Sequence, residues 1–386
     1  METSLSSGIE GGQDPKVDDD GHPKRTGTLI TTTAHIITAV IGSGVLSLAW
    51  ATAQLGWIAG PATLLAFALI SCYAASLLAD CYRSPDGKRN QTYMEVVRAH
   101  LGGHNVKICG IAQFSNLIGT TIGYTITTSL SLMAIEKSNC YHKNGHDANC
   151  RQKNMSFTIL YGMAQILLSQ IPNFHELAFL SIFAALMSFT YSSIALGLSI
   201  DRIARYAAFG NDAPSNFLTT FGFYDPFWLI DFANACIVVH LLGAYQVFAQ
   251  PVFAFVEKRC ENRWPDSRFI NGKSFKISAN KTWNVSMFKL TWRTAYVALT
   301  TIVAMLFPFF NDFVGLLGAI SYWPLTIYLP FQMYIKRTNI RRLSFTWIWL
   351  TVLCVACLLL SILAAAGSIR GLIKAVRRFE PFQAES

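Results

Sequence analysis

The sequence predicts an all-α polytopic membrane protein with about nine transmembrane helices. Three observations carry that prediction. Hydrophobic residues make up 52% of the chain and charged residues 14%, with a mean hydropathy of +0.35, which sets it apart from soluble globular chains. The apolar residues are gathered into stretches close to the ~20 residues that a bilayer-crossing helix needs. The basic residues fall in alternate loops, as they do when those loops stay cytosolic.

The spans run roughly Leu29–Ala53, Trp57–Cys81, Val106–Ile135, Phe157–Ile171, Leu177–Ile200, Trp228–Val256, Leu290–Phe310, Phe313–Tyr334 and Phe345–Ile369. Short turns, GWIAGP and PFFND, join the first two and the seventh and eighth into helical hairpins. Arg83, Lys88, Arg89 and Arg98 follow the second span. Lys258, Arg259, Arg263, Arg268, Lys273, Lys276 and Lys281 follow the sixth, and Lys336, Arg337, Arg341 and Arg342 the eighth. If every span crosses, these loops share the cytosolic side and the N-terminus is cytosolic too. The C-terminal tail then falls outside despite Arg370, Lys374, Arg377 and Arg378, against the rule. The net charge of +9 therefore reports orientation in a lipid bilayer and not a nucleic-acid partner. Residues 1–25 are polar, rich in Gly, Ser and Asp, and lack a signal-peptide pattern, which predicts a disordered cytosolic arm. Tyr93–Leu101 is short and amphipathic and is expected to rest on the cytosolic interface. Asn154-Met155-Ser156 is a glycosylation sequon that abuts the fourth span.

Most of the nine cysteines lie in apolar spans, where they read as small packing residues. Cys140 and Cys150 bracket the polar loop CYHKNGHDANC and pair as a disulfide if that loop faces an oxidising compartment. His142 and His146 in the same loop lack a recognised zinc spacing, so no metal and no cofactor is expected.

The first span carries Gly42-Ser43-Gly44 at its centre. Glycine lets a helix open, and backbone freed at membrane depth is tolerated only where protein or a watery cavity covers it. Two readings stand: Gly42–Leu46 touches a substrate, or it packs closely on a neighbouring helix. His35, Thr38 and Gly42 share one face. His35 is a candidate proton-coupling residue, the other reading being a neutral imidazole bonded to a neighbour. In the third span Gly119 and Gly123 form a small-residue pair, beside a stripe of Asn116, Thr120 and Tyr124 that suits a zwitterion or serves as packing glue. The sixth span carries Asp231, Asn234 and, deeper, His240; Gln246, Gln250 and Pro251 follow. The eighth pairs Gly315 with Gly318, and Pro324 and Pro330 imply bends. There is no nucleophile elbow, no HExxH, no phosphate loop and no paired carboxylates within a span. Polar groups scattered over several helices fit a solute pathway and not an enzyme.

The chain resembles the plant amino acid permeases within the amino acid/auxin permease family. The stretches that carry the resemblance are TGTLITTTAHIITAVIGSGVLSLAWATAQLGWIAGP, LLADCYRSPDGKRNQTYMEVVRAHLGG, NLIGTTIGYTIT, CYHKNGHDANC, ANACIVVHLLGAYQVFAQPVFAFVEK and PFFNDFVGLLGAISYWPLTIYLP. The resemblance makes residues 26–382 an amino acid transporter domain. It implies proton-coupled import of amino acids at the plasma membrane, with amino acids and protons as partners. It also implies a five-plus-five inverted-repeat (LeuT-like) fold with an eleventh helix, whose broken first and sixth helices face each other across the substrate. On that pattern Gly42, Ser43, Gly44 and Val45 match the broken first helix and Asn116 and Tyr124 the third. Asn234 matches the eighth helix, and Gly315 and Gly318 the tenth; all are substrate-binding candidates.

The chain departs from the family between residues 200 and 206. Ser193–Ile200, which matches the fifth helix, runs through Asp201–Arg205 straight into Tyr206–Trp228, which resembles the end of the seventh helix and the loop after it. The fold is therefore expected to be incomplete, without the sixth helix and most of the seventh. Loss of one outside-to-outside hairpin leaves the other orientations unchanged. It also removes the half-helix ends that would face the first helix across a substrate. The alternative reading is a shortened isoform that does not transport and associates with full-length permeases, or a fragmentary reading of the gene.

Overall fold

The computed structural model describes residues 28–42, 44–145, 150, 154–171, 178–201, 227–278, 281–306 and 310–378. The N-terminal arm, Ser43, His146 and the stretch 202–226 after the expected junction lie outside the described residues. Among the described residues, six helices are long and apolar enough to cross a membrane. The other three expected spans are helical as well, at Leu29–Val40, Asn154–Ser169 and Met287–Leu306.

Helix α1, Leu29–Val40, starts at a capping box in which the Thr28 and Thr31 side chains bond each other's backbone N–H. Ile41 leaves helical geometry (φ −87°, ψ 75°), and α2, Gly44–Asp80, begins two residues after Gly42. Gly56 then takes φ 79° and ψ 177°, which a residue with a Cβ adopts only under strain, and it divides α2 where the GWIAGP turn was expected. The stretch Ile58–Asp80 has a mean hydropathy of 2.0, yet Ile58 is 86% exposed. An apolar helix left open to its surroundings needs lipid around it. Helix α3, Tyr93–His100, is capped reciprocally by Thr92 and Glu95. Its Val96, Val97 and His100 are buried.

The core lies between α4 (Gly103–Asn144), α5 (Asn154–Ser169), α6 (Ala178–Asp201), α7 (Phe227–Arg263) and α9 (Met287–Leu306). Tyr124, Tyr161, Tyr191, Leu241, Tyr245 and Phe253 form its buried centre. The phenols are satisfied inside it: Tyr161 donates to Leu241 O at 2.9 Å, and Tyr245 lies 2.9 Å from the Thr300 hydroxyl. Of the stripe expected along α4, Asn116 accepts from Ser321 Oγ at 3.3 Å and Tyr124 stands edge-on to Phe248; the threonine hydroxyls beyond it are taken up by the helix itself. Thr125, Thr127 and Thr128 each donate to the carbonyl four residues back. A second cluster joins the later part of α2 to α10 (Phe310–Tyr322), a π-helical turn at Trp323–Tyr328, α11 (Leu329–Arg337) and α12 (Phe345–Arg378). Pro324 and Pro330 lack an N–H, and the wider π turn is where the helix absorbs them.

Two features differ from the sequence reading. The basic loop after α7 is not featureless. It holds a short helix, α8 (Arg268–Asn271), and an antiparallel hairpin of β1 (Lys273–Ser278) and β2 (Lys281–Val285), with Phe275 opposite Trp283. Aromatic and β-branched residues alternating with lysines favour that pairing. The last helix continues to Arg378, nine residues past the expected end. At 1.5 Å per residue it is roughly 51 Å long against a ~30 Å hydrocarbon core. Arg370, Lys374 and Arg377 therefore ride on a helix long enough to carry them clear of the lipid.

Candidate functional site

The interruption at Ile41–Gly42 is the point where three other helices converge on α1. Thr38 is fully buried and donates to Ser181 O of α6 at 2.9 Å, which ties α1 to α6 one turn before the break. The Ile41 carbonyl, released where the helix ends, accepts from two α6 side chains, Ser188 Oγ and Tyr191 Oη, both at 3.1 Å, with the single Ser188 proton shared with Ala184 O of its own helix at 3.0 Å. A freed carbonyl at this depth has to find such partners.

His240 of α7 stands behind them, fully buried. Its Nδ1 lies 2.7 Å from Ser188 Oγ and 3.0 Å from Ala184 O. A carbonyl can only accept, so Nδ1 carries the proton, and Nε2 is left as a lone pair. That Nε2 has no hydrogen-bond partner among the described residues. A chain of polar groups thus runs from His240 through Ser188 to the backbone at the break.

The fourth wall is α4. A Cβ built on Gly42 would lie 3.1 Å from Tyr124 Oη, so the tyrosine hydroxyl rests against the open turn. Tyr124 is buried and edge-on to Phe248, with ring centroids 5.5 Å apart. The broken helix presents the C-terminal end of α1 and the N-terminal end of α2 toward each other. Their partial charges are negative and positive, the pair that an ammonium and a carboxylate would seek.

The remaining candidates are distributed around this point. Asn234 is fully buried on α7 and donates to Ile230 O at 3.0 Å. Asn116 accepts from Ser321 of α10 at 3.3 Å, which joins α4 to the helix of the glycine pair. Among the described residues, no atom lies within 4 Å of a Cβ added at Gly44 or at Gly318. Gly315 instead packs on α12, where its Cβ would meet Ser368 Oγ at 2.7 Å. His35 is half-buried on α1, one turn before Thr38. Cys140 and Cys150 are joined as a disulfide with Cα atoms 6.1 Å apart. Ser43 lies outside the described residues, as does the Val45 side chain. Among the described residues no group of three or more His, Cys, Asp or Glu is placed to hold a metal ion.

Ser188 and Tyr191 were not singled out from the sequence. The signal was present in the fifth span, where Ser181, Ala184, Ala185 and Ser188 form a stripe of small residues at helical spacing.

Residues 25–205 and 203–374 match the family described as transmembrane amino acid transporter protein. Amino acid permease 6 of Arabidopsis thaliana is 49% identical over 472 aligned positions, which cover all of this chain and 98% of that permease. Amino acid permease 1 of the same plant is 49% identical over 453 positions, covering 95% of this chain and 93% of the relative. Amino acid permease 8 is 49% identical as well, covering 95% of each. The 472 aligned positions exceed the 386 residues of the chain by 86, so at least 86 of them have no counterpart in this chain.

Proposed function

The chain belongs to the transmembrane amino acid transporter protein family, and on that premise we propose that it imports amino acids across the plasma membrane by coupling them to protons. The observation that carries this reading is the helix break whose freed Ile41 carbonyl is held by Ser188 and Tyr191. In this reading the substrate ammonium sits at the C-terminal end of α1. Its carboxylate sits at the N-terminal end of α2, by Gly44 and Val45, with Tyr124 beside it. Asn116, Asn234, Gly315 and Gly318 border the same pathway.

The coupling proton is assigned to a histidine near the break. His240 is placed there by its contact with Ser188, and His35, seven residues before Gly42 in the sequence, is the second candidate. A proton taken by the Nε2 lone pair of His240 would add charge next to the group that holds Ile41. Substrate and proton would then be felt at one backbone position.

The basic loops give the orientation, with the N-terminal arm in the cytosol. The family match falls into two pieces that meet at residues 203–205. That supports a junction near 200–206, where the sixth and most of the seventh helix of the five-plus-five fold are absent.

Liposomes carrying the purified chain, neutral inside and acid outside, test the reading. They should accumulate a labelled neutral amino acid and lose it when a protonophore collapses the gradient. Accumulation no greater than in empty liposomes contradicts it. In that case a chain that co-purifies with a full-length permease would take the non-transporting role.

A further inference from the structure

A groove of about 730 Å³ lies between α4, α7 and α9, away from the helix break. Its walls are apolar along nearly their whole length, with Ile111, Phe114, Ile118, Phe255 and Leu299 among them. Ile111 is 70% exposed and Leu299 61%, so the groove opens outward, toward whatever surrounds the bundle. For a chain whose helices are built to lie in lipid, that surrounding is acyl chain.

One end of the groove is different. Lys107 lines it, one turn before Ile111 on the same face of α4. On α7 the lining residues Phe255 and Val256 are followed one turn later by Arg259, which is exposed. The nearby carboxylates are already engaged: Glu257 holds Arg293 at 2.7 Å, and Glu261 holds Lys289 at 3.1 Å. Lys107 on the lining, and Arg259 one turn beyond it, are exposed cations at this end of the groove, the end of the bundle where the basic loops gather. From Lys107 to Ile122 the lining of α4 climbs fifteen residues, roughly 22 Å. Half of a ~30 Å hydrocarbon core is about 15 Å, so a chain from one leaflet fits within that length.

We propose that this groove binds an anionic phospholipid, with one acyl chain along Ile111, Phe114 and Ile118 and the phosphate between Lys107 and Arg259. Basic pockets between transmembrane helices on the cytoplasmic side take such headgroups. A second copy of the chain is the poorer occupant. Docked about an axis normal to the bilayer, it would bring two basic mouths together, which like-charge repulsion opposes.

Native mass spectrometry of the detergent-purified chain, with equal amounts of phosphatidylserine and phosphatidylcholine added, tests the assignment without any transport readout. The wild type should retain phosphatidylserine about thirtyfold more than phosphatidylcholine, given ~1 kcal/mol for each of the two basic side chains at an anionic surface. The double variant Lys107→Gln, Arg259→Gln should retain the two lipids equally. Ile111→Trp, which fills the groove from its exposed side, should lose both adducts while staying monodisperse. Equal retention by the wild type, an undiminished preference in the double variant, or a wild-type dimer that Ile111→Trp converts to monomer would each overturn the proposal.

Discussion

Ser188 donates to the carbonyl of Ile41 at 3.1 Å and meets His240 Nδ1 at 2.7 Å, so one hydroxyl on α6 links the end of the first helix to a buried histidine on α7. Three elements distant in sequence share a single polar contact at membrane depth. Removing one partner of a buried bond costs more than the bond is worth, because the other is left unsatisfied.

Ser188→Ala should therefore lower thermal stability in detergent by about 1–3 kcal/mol and reduce uptake more than expression. Tyr191→Phe removes the second donor to the same carbonyl and should show a similar loss. A Ser188→Ala protein with unchanged melting and unchanged uptake would mean that the carbonyl is satisfied some other way.

His240→Gln keeps a side chain of similar reach but cannot gain a proton. If the Nε2 lone pair receives the coupling proton, the stimulation of uptake by external acid should fall to about none, while the chain still reaches the surface. His35→Ala should leave that stimulation in place. The reverse pattern would move the proton site to α1.

Arg293 is buried at the far end of the core. It grips both carboxylate oxygens of Glu257, at 2.7 and 3.1 Å, and donates to Ser169 O at 2.7 Å. It thereby fastens α9 to α7 and to the end of α5. Arg293→Met leaves a buried carboxylate with only Lys289, 3.7 Å away, and should cost about 3–5 kcal/mol, seen as loss of a monodisperse protein on gel filtration. Arg293→Lys should rescue little, because an ammonium cannot reproduce the two-pronged grip. Full rescue by lysine would show that charge alone is needed.

Gly119 is a packing glycine. A Cβ there would meet the Leu317 side chain at 2.5 Å, so α4 and α10 approach closely at this point. Gly119→Val should destabilise by about 1–3 kcal/mol through overpacking. Gly318→Ala meets nothing within 4 Å among the described residues and should fold as the wild type does, so a change in its apparent KM would report on the pathway and not on packing. Equal melting temperatures for Gly119→Val and the wild type would contradict the close approach.

The transmembrane helices were legible because apolar length and loop charge are local quantities. The break at Gly42 was legible as one of two readings, because glycine at the centre of an apolar span serves close packing as well as an opened helix. The basic loop concealed its hairpin, since lysines drew attention to charge and away from the alternation of Phe275, Ile277 and Trp283. The partners of Ile41 were hidden for a different reason. Ser188 and Tyr191 lie about 150 residues away in sequence and are ordinary small and aromatic residues until the fold brings them to the carbonyl. The stripe of Asn116, Thr120 and Tyr124 on α4 was visible, but the partners that Asn116 finds in Ser321 and Tyr124 finds at Gly42 were not. Gly315 and Gly318 read as one pair, yet only the structure separates the glycine that packs on Ser368 from the one whose added Cβ meets no atom within 4 Å among the described residues.

The most direct test of the central claim is uptake of a labelled neutral amino acid by cells lacking their own permeases and expressing this chain, at acid and neutral external pH. The chain at the surface should be quantified in the same cells. Uptake that is absent from control cells and rises at acid pH is the expected result, and it would mean that the elements holding Ile41 suffice without the missing hairpin. No uptake from a chain that reaches the surface would contradict the account.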